Sequence, residues 1–146
     1  MTAGTDSTAV ARYCSLDITK HELRCHNTAE ELSRALQLAG VGTGKAGPLV
    51  QTTAQVSVIG TIYDDVGYGG GYLSNVGNPC YYGYTDFIDL TWSGWNDRLS
   101  SFIGGSGCRL YLHDNSNGTG AGYGWASSSS WVGTMNDRTS SISFSP

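Results

Sequence analysis

Apolar and polar residues alternate in short runs along most of this chain, a period of two that predicts half-buried β-strands. From Leu49 onward such runs recur between Gly-rich turns, and strands are predicted at 50–62, 87–92 and 108–112, with Ile142 and Phe144 in a last strand. Runs of this kind separated by turns are typical of an all-β fold.

The N-terminal part of the chain predicts a different arrangement. Residues 13–27 form an expected hairpin, in which one strand ends near Ile18 and the other returns through Leu23. Thr28 and Glu31 then have the spacing of a capping box, which satisfies free backbone N–H groups at a helix start. A helix from Ala29 to about Ala39 follows, because apolar residues recur on one face and Gly40 ends it.

These patterns divide the chain into three parts. Residues 1–11 are small and polar, and we expect a flexible tail. Residues 12–47 form the hairpin and helix as an appendage that ends in a Gly-rich linker, and residues 48–146 form the main β-domain.

A six-residue sequence, which we call the Asn-Asp phrase, occurs twice in the β-domain. It covers residues 96–101 and 136–141, forty positions apart, and a Trp-X-Gly sequence precedes each copy. This internal repeat predicts an architecture built from two similar units. Asn and Asp side chains, Ser hydroxyls and loop carbonyls are hard oxygen ligands, which favour calcium over zinc or copper.

A second repeated feature is an aromatic hairpin. Tyr63 and Tyr68 are expected to pack on each other, with Gly70 in a backbone conformation that residues with a Cβ avoid. The same spacing begins again at Tyr111, where Ser116 takes the place of the second aromatic residue. The order hairpin, phrase, hairpin, phrase predicts two Greek-key units packed as a sandwich.

Together these residues resemble the βγ-crystallin superfamily, whose Greek keys carry an aromatic-hairpin signature and a calcium signature of the form N/D-N/D-X-X-S/T-S. The resemblance covers about 56–144 and implies a two-Greek-key sandwich that binds up to two calcium ions. It also implies that the phrase of one unit shares each ion with the hairpin of the other. The implied ligand sets are Asn96, Asp97 and Ser100 with Asp114, and Asn136, Asp137 and Ser140 with Asp64 or Asp65.

The cysteines point to an oxidising compartment. Cys14, Cys25, Cys80 and Cys108 lack metal-site spacing, so two disulfides are expected. Three connectivities exist, and we favour Cys14 with Cys25 and Cys80 with Cys108 because each pair then lies within one segment. Within the superfamily the chain is similar to secreted single-domain actinobacterial members, which include a metalloproteinase inhibitor and killer-toxin-like proteins.

Composition and charge narrow the range of partners. The chain has 21 glycines among 146 residues, a net charge of −4 and no cluster of basic residues, which argues against nucleic acid and anionic membranes. No apolar run is long enough to cross a membrane. Residues 1–12 lack the apolar run of a signal peptide, so we expect a mature form of a secreted protein.

The motif pattern favours a binding protein over an enzyme. No nucleophile elbow or His-Glu-X-X-His motif occurs, and the paired carboxylates are explained by the calcium hairpin and the helix start. Tyr81, Tyr82 and Tyr84 beside Cys80 either form a patch for a protein or a sugar or cover the small core.

Three hypotheses follow for the function. The first is a calcium-binding protein that acts on a secreted protein partner, as a protease inhibitor or an adaptor. The second is an antimicrobial or cell-wall glycan-binding module, and the third is a calcium-stabilised structural protein.

Overall fold

The computed structural model describes residues 13–42 and 56–146. The predicted tail at 1–11 and the predicted boundary between residues 47 and 48 lie outside these ranges. Within them the chain forms one α-helix, α1 (Ala29–Leu38), three short 3₁₀ helices (Val66–Tyr68, Cys80–Tyr82 and Gly133–Met135) and ten strands. The strands are β1 (Tyr13–Asp17), β2 (Glu22–His26), β3 (Ser57–Asp65), β4 (Gly69–Gly77), β5 (Asp86–Asp89), β6 (Ser101–Gly104), β7 (Arg109–His113), β8 (Gly122–Ala126), β9 (Ser128–Ser129) and β10 (Ser141–Ser145).

The strands form two sheets, ordered β2-β1-β4-β3-β6-β9 and β5-β10-β7-β8. The first half of the β-region contributes β3, β4 and β6 to one sheet and sends β5 to the other. The second half places β7, β8 and β10 together and sends β9 back. The predicted fold class is confirmed: the described chain is an all-β sandwich of two Greek keys with an N-terminal disulfide hairpin and one short helix.

The N-terminal hairpin extends the larger sheet. Strand β1 pairs antiparallel with β2 and parallel with β4, so that Tyr13 lies opposite Tyr72. Cys14 and Leu16 are fully buried among the residues of the sandwich core. Residues 13–26 are therefore structurally continuous with the β-region.

The helix begins as its sequence predicts. The backbone N–H of Glu31 donates to the Thr28 hydroxyl over 3.1 Å, and Glu31 accepts from the backbone N–H of Asn27 over 3.2 Å. The first bond satisfies a donor that the first helical turn leaves free, and the second ties Glu31 to the residue before the N-cap Thr28. Leu32 is the buried residue of the helix.

The core lies between the two sheets. Among its largest fully buried side chains are Trp95, Phe102 and Phe144. Trp92, Trp125 and Trp131 are exposed on the surface, so the recurrence of tryptophan before the phrases does not mean a shared core position.

Both disulfides have the favoured connectivity. Cys14 is bonded to Cys25 across the hairpin, and Cys80 to Cys108 across 28 positions of the chain. Within the described ranges, no helix is long and apolar enough to cross a membrane.

Candidate metal centre

The two Asn-Asp phrases contact each other through backbone hydrogen bonds at one end of the sandwich. Asp97 and Asp137 adopt left-handed backbone conformations, with φ of 62° and 59°, which Asp tolerates better than most residues. In this conformation the N–H of Asp97 donates to the carbonyl of Thr139, and the N–H of Asp137 donates to the carbonyl of Leu99, each over 3.0 Å. The two halves therefore meet through reciprocal backbone bonds.

Ser100 lies at the centre of the first group of oxygens. Its hydroxyl donates to the Asp64 carbonyl over 2.7 Å and lies 3.4 Å from Oδ1 of Asp137. Its backbone N–H donates to the carbonyl of Tyr63 over 2.9 Å. A serine from one phrase, a hairpin carbonyl from the same half and an Asp carboxylate from the other half thus converge.

Ser140 has the corresponding position in the second group. Its hydroxyl lies 3.5 Å from Oδ1 of Asp97, and its backbone N–H donates to the carbonyl of His113 over 2.9 Å. The same exchange of carboxylates therefore occurs in both directions across the interface of the halves.

This grouping differs from the one that the resemblance implies. Ser100 lies with Asp64 and not with Asp114, and Ser140 lies with the hairpin that contains Asp114. The reason is strand pairing, since each phrase leads directly into a strand beside its own hairpin: β6 pairs Ser101 with Tyr63, and β10 pairs Ser141 with His113. Asp97 and Asp137 are the candidate ligands whose side chains cross between the halves.

The hairpin carboxylates are turned away from the serines. Asp64 accepts two bonds from Arg98, at 3.0 Å from Nε and 2.9 Å from Nη2, and Asp114 is paired with Arg138. The Asp65 side chain lies over Gly70, where an added Cβ would meet its Oδ2 at 2.7 Å. Of the predicted carboxylate ligands, those of Asp97 and Asp137 are the ones that the structure places beside a phrase serine.

The two arginines were missed by reasoning from ligand oxygens alone. Arg98 and Arg138 occupy the same position in both phrases, and this identity was the available signal. The Arg98 guanidinium also lies 3.9 Å from the centre of the Trp95 ring, a cation–π contact. Each arginine neutralises a hairpin carboxylate, so each group of oxygens keeps one carboxylate charge.

The first residue of each phrase orients the aspartate that follows it. Nδ2 of Asn96 donates to Oδ2 of Asp97 over 3.2 Å, and Nδ2 of Asn136 donates to Oδ2 of Asp137 over 3.3 Å. The amide oxygens of both asparagines are buried and accept no hydrogen bond from any residue that the structure describes. A buried unpaired acceptor costs about 1–3 kcal/mol, and a bound cation would remove that cost.

The donor set fits calcium. Ca²⁺ binds six to eight oxygens at about 2.4 Å, so two ligands at right angles lie about 3.4 Å apart. The carboxylate–hydroxyl separations of 3.4 and 3.5 Å match that spacing. In the parts of the chain that the structure describes, no three His, Cys, Asp or Glu residues cluster as a metal site, so the candidate ligands are mixed oxygens.

The aromatic hairpin is regular in the first half only. The rings of Tyr63 and Tyr68 lie 5.7 Å apart, edge to face, and Gly70 has φ of +75°, as predicted. Burial raises the pKa of the Tyr63 phenol, with a smaller contribution from Tyr72.

The second hairpin is aligned differently from its predicted match to Tyr111 and Ser116. Its hydrogen bonds place His113 where Tyr63 lies, and Gly120, with φ of +88°, where Gly70 lies. Gly118 then replaces the second aromatic residue, and its N–H donates to Ser141 as that of Tyr68 does to Ser101. Phe87 from β5 covers the gap, since a Cβ on Gly118 would lie 3.3 Å from its ring.

The predicted tyrosine patch is a loop anchored by a disulfide. Tyr81, Tyr82 and Tyr84 are between 38% and 43% exposed, while Cys80 beside them is buried. Gly83 turns the loop with φ of +87°, and the N–H of Tyr81 donates to the carbonyl of Ser106. The three rings therefore contact solvent from a loop tied to the β6–β7 connection.

No protein-family model and no curated protein sequence matches this chain. Among solved structures, the chain is similar to a βγ-crystallin domain from Clostridium beijerinckii, with 26% identity over 60% of this chain and 97% of that one and a TM-score of 0.48. It is also similar to a βγ-crystallin domain from Flavobacterium johnsoniae, with 26% identity over 59% of this chain and 92% of that one and a TM-score of 0.45. The N-terminal domain of protein S has 16% identity over 59% of this chain and 93% of its own, with a TM-score of 0.46.

Proposed function

We propose that this chain is a calcium-binding module of the βγ-crystallin type that acts outside the cell by binding a secreted protein, without catalysis. The observation that carries the proposal is the reciprocal grouping of Ser100 with Asp137 and of Ser140 with Asp97. The two copies of the Asn-Asp phrase thus form two similar sets of hard oxygen ligands. Both sets lie at the contact between the halves.

Calcium at these groups would act as a cross-link between the halves. The first ion would be held by the Ser100 hydroxyl, the Asp64 carbonyl and the Asp137 carboxylate. The second would be held by Ser140 and Asp97. With one carboxylate in each set, we expect dissociation constants on the order of 0.1–1 mM, as in extracellular modules. Binding to the folded state alone would raise stability.

The crossed geometry gives a sharp test by calcium titration in a calorimeter. We expect Ser100→Ala and Asp137→Asn each to remove the same binding event, and Asp137→Asn in the Ser100→Ala background to have no further effect. Ser140→Ala and Asp97→Asn form the second such pair. Ser33→Ala, on the exposed face of α1, is the matched control and keeps both events.

Two results would contradict the calcium proposal. One is no heat of binding at millimolar calcium in the wild type, which would leave the phrases as turn-forming sequences. The other is a pairing of Ser100 with Asp97 in the double-variant analysis, which would reject the crossed grouping.

The partner-binding surface that we propose is the tyrosine loop. Tyrosine is enriched at binding hot spots, and a loop held by a disulfide loses little entropy on binding. Two disulfides support a role in an oxidising, extracellular compartment. The resemblance to secreted inhibitors makes a neutral metalloprotease the first partner to try.

Inhibition of thermolysin, a neutral metalloprotease, would be measured with the wild type and with Tyr82→Ser. We expect the wild type to inhibit, and the variant to lose about tenfold in affinity because hot-spot truncations commonly cost more than 1 kcal/mol. Leu38→Ser, at an exposed apolar residue of α1 outside the loop, is the control. Inhibition that is equal in all three proteins would reject the loop as the contact surface.

A further inference from the structure

A cleft on the outer face of the four-stranded sheet is not part of either group of oxygens. Its volume is about 410 Å³, within the range of small-ligand sites. Phe87 on β5 and Trp125 on β8 form two sides, and Ser143 on β10 lies between them. Asp86 and Ser145 also line the cleft, at the end of the sheet away from the Asn-Asp phrases.

Both aromatic side chains are open to solvent and held by neighbours. Phe87 and Trp125 are each 44% exposed. The Phe87 ring lies against Gly118 and 6.3 Å from the His113 ring, and the Trp125 ring lies 5.5 Å from that of Tyr111. An exposed ring that packing already orients needs little ordering when a ligand stacks on it.

The hydroxyl group of the cleft is also placed in advance. The Ser143 hydroxyl lies 2.8 Å from Nε2 of His113. Asp86 is paired with the buried Phe144, so its side chain lies on the inner face of the sheet. There its Oδ2 accepts from the backbone N–H of Asn78 over 3.1 Å.

We infer that this cleft binds a neutral polysaccharide by stacking a pyranose ring on Trp125, with the Ser143 hydroxyl as a hydrogen-bonding group beside it. The C–H face of a pyranose ring is apolar and its edge is lined with hydroxyls. That combination matches aromatic sides with a hydroxyl between them. Among the described residues that line the cleft there is no basic side chain, so they offer no ion pair to an acidic sugar.

The size of the surface favours a sugar over a protein or a second copy of this chain. An aromatic side chain has about 150–250 Å² of surface, so two rings that are 44% exposed offer about 200 Å² at most. A stable protein interface buries about 800 Å² on each partner. A sugar chain that contacts one or two rings needs much less.

Titration of the full chain with cellohexaose and with chitohexaose, followed by tryptophan fluorescence and calorimetry, tests the inference. We expect at least one of the two to bind, with Trp125→Ala weakening it about tenfold or more and Trp125→Phe retaining part of the affinity. The circular dichroism spectrum of both variants should stay unchanged. Trp131→Ala is the matched control, because Trp131 is 59% exposed and lies outside the cleft.

This inference goes beyond the proposed calcium function, and an experiment can reject either one without rejecting the other. Sugar binding should be the same in calcium and in EDTA, since the cleft and the Asn-Asp phrases lie at different ends of the strands. Binding of neither sugar at millimolar concentration would overturn the inference. So would an equal loss of affinity in Trp131→Ala, or self-association in sedimentation equilibrium that Trp125→Ala abolishes, which would assign the surface to a second copy.

Discussion

Arg98 decides which oxygens remain for a cation at the first phrase. Its guanidinium holds both carboxylate oxygens of Asp64 and stacks on the buried Trp95 ring. The Asp64 carbonyl, in contrast, accepts from Ser100. One hairpin residue therefore contributes its carboxylate to an ion pair and its carbonyl to the candidate metal centre.

Replacement of Arg98 by Gln should destabilise the calcium-free protein by about 1–2 kcal/mol, because a bidentate ion pair and a cation–π contact are lost together. Both side chains of this pair are about three-quarters buried. Arg24→Gln is the control, since its pair with Glu22 is 66% and 44% exposed and should contribute little. Urea denaturation in EDTA measures both, and equal effects would show that Arg98 has no special role.

We expect His113 to make the free energy of unfolding depend on pH. Burial lowers the pKa of its imidazole, so as the pH falls below about 6.5 the unfolded chain binds a proton before the folded one does. The His113 contribution to the free energy of unfolding is therefore present above pH 6.5 and declines on acidification toward the folded pKa. His113→Gln should flatten the stability curve between pH 7 and the folded pKa, as measured by urea denaturation, and an unchanged slope would contradict this assignment.

At the scale of the elements, the turn of the first hairpin depends on Gly70. Its φ of +75° is strained for other residues, and a Cβ would also lie 2.7 Å from Oδ2 of Asp65. Gly83 has a similar φ of +87° but nothing within 4 Å of its Cβ position. Comparing substitutions at Gly70 and Gly83 therefore distinguishes the cost of backbone strain from the cost of steric overlap.

We expect Gly70→Ala to destabilise the fold by about 2–3 kcal/mol and Gly83→Ala by about 1 kcal/mol, since the second change introduces backbone strain only. Thermal melts and urea denaturation of both variants test the difference. If the two substitutions have equal cost, the Asp65 side chain moves away freely and the hairpin is not tightly packed there.

Local signals explain which elements were predictable. The capping box of α1, the disulfide hairpin and the Tyr63–Tyr68 pair each depend on residues close in sequence, and the structure contains all three. The register of the second hairpin was not predictable, because the ring that covers Gly118 comes from Phe87 on another strand. The parallel pairing of β1 with β4 joins segments about sixty residues apart, which no local pattern indicates.

The candidate metal centre also has features that the sequence predicts and features that depend on the sheets. The repeat identified both phrases and so the serines and aspartates that converge. The grouping of Ser100 with Asp137 and of Ser140 with Asp97 was not predictable, because it depends on strand pairing. Each phrase leads into a strand that pairs beside its own hairpin. Arg98 and Arg138 have equivalent positions in the repeat, but only the structure shows that they pair with Asp64 and Asp114.

At the scale of the whole molecule, the candidate metal centre and the Cys80–Cys108 disulfide lie at opposite ends of the sandwich. Strands β6 and β7 run between the ends: β6 begins at the first phrase, and β7 ends at the hairpin of Asp114. Cys108 precedes β7, so the Cys80–Cys108 disulfide lies at the end away from the phrases. The proposed ions and this disulfide should therefore stabilise the fold independently.

That independence predicts additive free energies. Removal of the disulfide in Cys80→Ser/Cys108→Ser should cost about 3.5 kcal/mol, from the entropy of closing a 28-position loop. We expect the same cost with saturating calcium and in EDTA, within about 0.5 kcal/mol, because distant sites without shared partners add. Urea denaturation of wild type and variant in both conditions completes the cycle. A coupling of several times that value would mean that the strands transmit strain between the ends, and the two cross-links would then have to be treated as one cooperative unit.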